Sequence, residues 1–241
     1  MNYLAPFLPQ LFDSLMQFLK IALIVSVVIL LVLLAYCAAL YVKLPSVQPL
    51  VFTNSEPRQN LLQFDDIPLV SVNAILAAED KNFFSHNGID YPAILRAMKL
   101  MGESGKPVSG ASTITMQLAK HSLLGRDRSL ARKLSQFMLA AKIESRLSKE
   151  QILQRYLSSI YFGENTYGID AAAQFYFKKA LAELTLAEAA MLAGLPKAPS
   201  KYNPTASPAA SLERRNWVLE RMLENQFIER LQFEKARATS V

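Results

Sequence analysis

Two neighbouring carboxylates, Glu79 and Asp80, close an apolar run in the stretch AAEDKNFFSHNG, and Phe83, Phe84, His86 and Gly88 follow them. A glutamate at a helix end is ordinarily a solvated surface group. Aromatic neighbours change that, because they withdraw water, and desolvation raises a carboxyl pKa toward the range of a useful general base. Glu79 is therefore a candidate proton acceptor. Asp80 is expected to hydrogen-bond locally, Phe83 and Phe84 to screen the glutamate, and His86 to prop the turn.

A second stretch, GASTITMQLAKHSLLGRDRS over residues 110–129, gathers Gly110, Ser112, Thr113, Thr115 and Gln117. Small hydroxyls and an amide at this density suit a sugar or a phosphate, although each one singly is more often a cap or a surface group. Basic residues crowd the same region: Lys120, Arg126, Arg128, Arg132, Lys133, Lys142 and Arg146, against only Asp127 and Glu144. A charged helix face is commonly just solvated. The shortage of acidic partners here leaves an electropositive surface able to hold a pyrophosphate.

These residues need helices to position them. Val72, Ile75, Leu76 and Ala78 recur at helical spacing, and Pro92 opens a further segment, PAILRAMKLM, before the glycine-rich loop MGESGKPVSGA. A long helix is expected from about Ser129 to Leu147. Ser148 with Gln151, and Thr185 with Glu188, have capping-box spacing, while Ser207-Pro208 reads as a cap followed by proline at the first helical position. Strand signals are sparse and no internal repeat is present, so residues 66–230 read as one mainly α domain.

Ahead of that domain, Ile21 to Val42 reads IALIVSVVILLVLLAYCAALYV, uncharged between Lys20 and Lys43. As a helix it would be roughly 33 Å long at about 1.5 Å per residue, enough to cross a bilayer core. The apolar run is too long for a cleaved leader, and Tyr36 before Cys37 is a poor cleavage context. The expected layout is an N-terminal cytoplasmic segment over 1–19, a transmembrane helix over 20–43, a proline-bearing linker over 44–65, the domain over 66–230 and a tail over 231–241. Without residues 1–43 the net charge is +5. A basic domain beside a membrane suits anionic lipid head groups or phosphorylated lipids, and the anchor argues against nucleic acid. Cys37 is the one cysteine and falls in the apolar run, which excludes intrachain disulfides and cysteine metal sites.

Read in order, EDKNFFSHNG, GASTITMQLAK, RKLSQFMLAAKIE, YLSSIYFGENTYGIDAAAQFYF and LTLAEAAMLAGLPKAPSKYNP resemble the family 51 peptidoglycan glycosyltransferases. That family comprises monofunctional biosynthetic transglycosylases and the N-terminal part of class A penicillin-binding proteins. The resemblance covers roughly residues 66–228. It implies a lysozyme-like, bilobed helical fold with a smaller lobe dipping into the membrane, and a catalytic domain on the outer face of the bacterial cytoplasmic membrane. The implied reaction joins lipid II units into β-1,4-linked glycan with inversion and release of undecaprenyl pyrophosphate. By resemblance Glu79 is the general base, Lys120, Arg128 and Lys133 meet the pyrophosphate with Arg132 beside them, and Ser112 and Gln117 line the cleft. The partners implied are lipid II, the growing strand, the membrane and other cell-wall synthesis proteins. No cofactor is required by the sequence, while Mg²⁺ or Mn²⁺ could accompany the substrate pyrophosphate. AILRAMKLM and the loop after it fit the membrane-dipping part, or equally a core helix with two snorkelling cations.

The chain departs from the family at one catalytic position. The pattern Arg-Lys-x-x-Glu stands here as Arg132-Lys133-Leu134-Ser135-Gln136, so the second carboxylate is an amide. Met116, Ser158 and Lys178 are smaller departures, from a glutamine, an asparagine and a glycine. Glu144 lies two helical turns beyond Gln136 and cannot replace it. Either Glu79 suffices with Gln136 in a positioning role, or the chain is a weakened homologue that binds lipid II or supports another synthase. A lytic or hydrolytic lysozyme-like enzyme is the less favoured alternative, since it has no use for a cationic cradle. No Ser-x-x-Lys tetrad is present, so the chain reads as monofunctional. GLPKAPSKYNP is closer to the bifunctional proteins and makes a fragment of one the other expectation.

Overall fold

The computed structural model describes residues 8–48, 62–105, 110–124 and 129–240. They divide into two units, one ending at Leu44 and the other beginning at Pro45. The first is the helix α1 (Leu8–Val42), which starts upstream of the expected span and is long and apolar enough to cross a membrane. Most of the expected linker, residues 49–61, lies outside the described residues, as do Arg126 and Arg128.

The second unit is almost wholly helical, in keeping with the mainly α expectation. Its helices are α2 (Leu69–Glu79), α3 (Tyr91–Ser104), α4 (Ile114–Leu123), α5 (Leu130–Glu144) and α6 (Lys149–Ser159), then α7 (Ile169–Phe177), α8 (Leu186–Gly194), α9 (Pro199–Tyr202), α10 (Pro208–Glu224) and α11 (Arg230–Ala238). A short antiparallel hairpin, β1 (Tyr161–Gly163) with β2 (Thr166–Tyr167), sits between α6 and α7. Its turn residues Glu164 and Asn165 take φ of 46° and 55°. Residues 231–238, expected as tail, belong to α11, which buries Phe233 and Ala236.

The core forms around α8, buried from Ala187 through Gly194. A helix apolar on every face has to be surrounded, and α2 and α10 both pack on it. Small residues in LAEAAMLAG let those helices come close. α2 contributes Val72, Ile75 and Leu76 to the core, and α10 contributes Val218, Leu219 and Met222. A neighbouring layer packs α4 against α5 and α6. Both expected capping boxes, Ser148 with Gln151 and Thr185 with Glu188, are formed. Ser207 makes no side-chain cap, and Pro208 alone opens α10. The long central helix stops at Glu144, short of the expected Leu147.

α3 is the exception to this packing. None of its residues is buried, and Tyr91, Leu95, Met98, Leu100 and Met101 are all exposed. The core-helix reading of AILRAMKLM is therefore wrong. Asp90 caps it through Ala93 N–H at 2.8 Å, and Asn82 Nδ2 donates to the same carboxylate at 2.8 Å.

Candidate active site

Glu79 is the last residue of α2, where the helix ends and the chain turns back along α4 and α5. Its neighbour Asp80 secures that turn. Asp80 Oδ2 accepts Ile114 N–H at 2.9 Å, at the amino end of α4, and both its oxygens take His86 Nε2 at 3.0 Å. A carboxylate there also meets the positive end of the α4 dipole. Gly88 N–H donates to His86 Nδ1 at 3.1 Å, so the imidazole proton sits on Nε2 and faces Asp80. Thr113 Oγ1 donates to Gly88 O at 2.6 Å and accepts Met116 N–H. Gly88 has φ +83°, and a β-carbon there would meet Ala140 O at 3.1 Å, so the turn lies directly against α5.

With Asp80 occupied in this way, Glu79 is left to the cavity. Its Oε2 accepts Gln117 Nε2 at 2.7 Å, while Gln117 Oε1 accepts the Tyr156 hydroxyl at 3.1 Å. Burial and the charges of Glu79 and Asp80 push Tyr156 well above its ordinary pKa, so it stays a donor. That orients the Gln117 amide, since a hydroxyl donating to Oε1 turns Nε2 toward the carboxylate. Glu79 Oε1 is buried without a hydrogen-bond partner among the described residues. Burial raises the Glu79 pKa above its usual value, against the opposing pull of the Gln117 hydrogen bond, Arg214 and Lys197. The aromatic screen expected for it is misplaced in one respect: Phe84 is half exposed and lines a separate groove with Leu69 and Phe227. Phe83 is fully buried, edge-on to Phe84 and beneath Lys149 Nζ, which lies 4.3 Å from its ring centroid.

The cavity beside Glu79 measures about 550 Å³. Ser112, Gln117, Lys120, Lys133 and Gln136 all line it, brought together from the approach to α4, from α4 itself and from α5. Lys133 Nζ donates to Ser112 Oγ at 3.1 Å, and burial, then Lys120 and Arg132, lower its pKa. Gln136 is nearly buried in the same wall, and its amide makes no hydrogen bond among the described residues. Arg132 does not reach the cavity; its Nε is buried without a partner. Thr113 and Thr115, expected among the ligand-facing hydroxyls, point inward instead. Thr115 Oγ1 donates to Glu144 Oε1 at 2.6 Å, and Lys149 Nζ takes the same oxygen at 2.7 Å. Glu144 is thereby committed away from the cavity.

Among the lining residues not singled out from the sequence are His121 on α4, Lys197, after α8, and Arg214 and Trp217 on α10. Lys197 lies inside the motif GLPKAPSKYNP, and Arg214 beside the chain's one tryptophan, yet spacing alone does not aim either at Glu79. With them, the described lining holds four cations and a single carboxylate. Such a surplus of positive charge in one recess suits an anion. It is poorly built for Mg²⁺ or Mn²⁺, which take oxygen ligands and usually at least one carboxylate free to coordinate. Glu79 is the one carboxylate in the described lining, Gln136 offers only an amide, and no cluster of three acidic, histidine or cysteine side chains occurs among the described residues. The donor set does not fit a resident divalent ion.

Comparison with known proteins places the chain in a family. The family described as Transglycosylase matches residues 47–223. The chain belongs to that family, the family 51 glycosyltransferases. Among its relatives, penicillin-binding protein 1A of Pseudomonas aeruginosa is 48% identical over 181 residues, covering 75% of this chain and 22% of that protein. Penicillin-binding protein 1A of Aquifex aeolicus is 50% identical over 175 residues, 73% of this chain and 24% of that one. The chain thus spans under a quarter of these relatives' length. A 2.6 Å crystal structure of penicillin-binding protein 1A from Haemophilus influenzae aligns over 76% of this chain and 18% of its own, at 28% identity and a TM-score of 0.45. In this transglycosylase chain Gln136 lines the same cavity as Glu79.

Proposed function

We propose that the chain polymerises lipid II into β-1,4-linked glycan at the outer face of the cytoplasmic membrane, with Glu79 as the base. The observation that carries this reading is the pairing of Glu79 with the cationic recess. One carboxylate oxygen is held by Gln117 and the other has no partner among the described residues, while Lys120, Lys133, Lys197 and Arg214 line the same space. The 4-hydroxyl oxygen of the incoming sugar forms the new bond to the anomeric carbon. Its proton passes to Glu79, and the electrons of the breaking C–O bond leave with the polyprenyl pyrophosphate, whose developing charge the cations stabilise. Attack on the face away from the leaving group inverts that carbon. α1 would anchor the domain, and the exposed apolar residues of α3 suit contact with the lipid that carries the substrate.

Because the donor set lacks a second carboxylate, lysine and arginine would meet the pyrophosphate without a metal bridge. Polymerisation is expected to proceed in chelator; collapse in chelator with recovery on adding Mg²⁺ or Mn²⁺ overturns that part.

A second reading, a weakened homologue that holds lipid II or supports another synthase, is favoured by Gln136. Labelled lipid II decides between the two. Native protein should yield polymer, and Glu79→Gln should lose about 10²–10⁴-fold in rate, the range for removing a general base. An inactive native protein revived by Gln136→Glu establishes the weakened homologue. A hydrolase is disfavoured because the described lining offers no second carboxylate, and release of fragments from preformed glycan would reverse that judgement.

A further inference from the structure

Arg214 belongs to none of the sequence features that pointed to this site, yet it is its most tightly held cation. Its guanidinium carbon lies 3.9 Å from the Trp217 ring centroid and 5.6 Å from that of Tyr202. Its Nε donates to Gly194 O at 3.4 Å. At Gly194 a β-carbon would come within 2.8 Å of Arg214 Cγ, so the arginine stem occupies the space that glycine leaves at the end of α8. An arginine stacked on tryptophan and backed by a helix terminus has few rotamers left to it.

Lys120 and His121 on α4 and Lys133 on α5 line the same cavity as Glu79, but the groups that act on its charge are these. Asp80, on its own turn, disfavours the carboxylate. From α4, Gln117 donates to it, and from α6 the Tyr156 hydroxyl is spent on Gln117. Lys197, from the turn after α8, and Arg214, from α10, favour the charged form. Lys197 ends a flexible side chain. Arg214 is fixed.

Building on the base role proposed for Glu79, we propose that Arg214 is a positioning residue for it. Clamped by Trp217 and admitted by Gly194, it holds a permanent positive charge that keeps the carboxylate ionised in a buried site. Without it, burial and Asp80 would leave Glu79 protonated over more of the pH range and unable to accept the sugar proton. Gly194 serves the same end, because any larger residue there displaces the arginine stem.

The test is the pH dependence of kcat/KM for lipid II in native protein, Arg214→Gln, Arg214→Lys and Gly194→Ala. The acid limb should move to higher pH in Arg214→Gln and Gly194→Ala, and return toward native in Arg214→Lys. A rate that falls equally at all pH values, with the acid limb in place, overturns the proposal. A second readout needs no turnover. The single tryptophan lies in the cavity, so its emission should carry a pH step that Glu79→Gln abolishes. That step should move upward in Gly194→Ala and Arg214→Gln. If lipid II is not polymerised but the step moves, the base role fails and the electrostatic coupling stands. If the step stays put in folded variants, the coupling fails. Should Arg214→Gln not fold, Gly194→Ala and Arg214→Lys decide.

Discussion

The cavity has two walls, and they are made differently. One comes from a continuous stretch, residues 110–136, which supplies Ser112, Gln117, Lys120, Lys133 and Gln136. Its polar groups are tied to one another: Lys133 to Ser112, and Gln117 to both Glu79 and Tyr156. The other joins the end of α8 to α10 and supplies Lys197, Arg214 and Trp217, with the arginine held by ring stacking and close backbone packing. The first wall keeps donors that can be re-spent on a ligand, since a Lys133 hydrogen bond to a hydroxyl is readily exchanged for one to a phosphate. The second holds a charge in place and acts at a distance. Substrate contact and preorganised field are thus divided between the walls.

Breaking the first wall should do the most damage. Lys133→Met removes a cation that would meet the leaving group, and a fall of about 10²–10³-fold in lipid II turnover is expected, the scale for losing one electrostatic contributor. A loss no larger than that of an exposed lysine such as Lys99 would remove Lys133 from the chemistry. Trp217→Leu strikes the second wall more gently. It keeps the arginine but takes away its aromatic support, worth about 0.5–2 kcal/mol. Turnover should drop roughly tenfold or less, with the loss concentrated at acid pH.

The smallest effect sharpens the comparison through stability. Burial raises the Glu79 pKa above the ordinary 4.5, so between that value and the higher folded one the native state binds more protons than the unfolded chain. Stability from this group therefore falls as pH rises through the window, with the full cost reached above the folded value. Glu79→Gln should raise the thermal midpoint at pH 7, by roughly 2–4 °C per kcal/mol released in a domain of this size. The gain should shrink as pH falls toward the ordinary glutamate value. Scanning calorimetry at several pH values checks this, and a pH-independent difference would mean that Glu79 is not desolvated in solution.

Much of the first wall was legible from residue types alone. Glu79 stood out by its apolar and aromatic setting, and Ser112, Gln117, Lys120 and Lys133 by their density within one basic, hydroxyl-rich stretch. The capping boxes before α6 and α8 were legible because they are local, with partners three residues apart. What failed were statements about direction. Thr113 and Thr115 share a stretch with Ser112 but face the turn and Glu144, because α4 packs on α5 and α6 along that side. Arg132 precedes Lys133, and one residue is about 100° around a helix, enough to leave the cavity. Phe84 follows the buried Phe83 and is turned to the surface.

By itself the sequence determined that the chain is helical and that an apolar span precedes a basic domain. It also determined that position 136 is a glutamine, a fact of covalent structure that no packing can alter. Only the tertiary structure decided that Asp80 braces a turn while Glu79 meets the cavity, and that Lys197, Arg214 and Trp217 join it from far along the chain. The reason is one of range. Propensity, capping and composition act over a few residues, whereas the pKa of a buried acid depends on whatever charges the packed helices bring beside it.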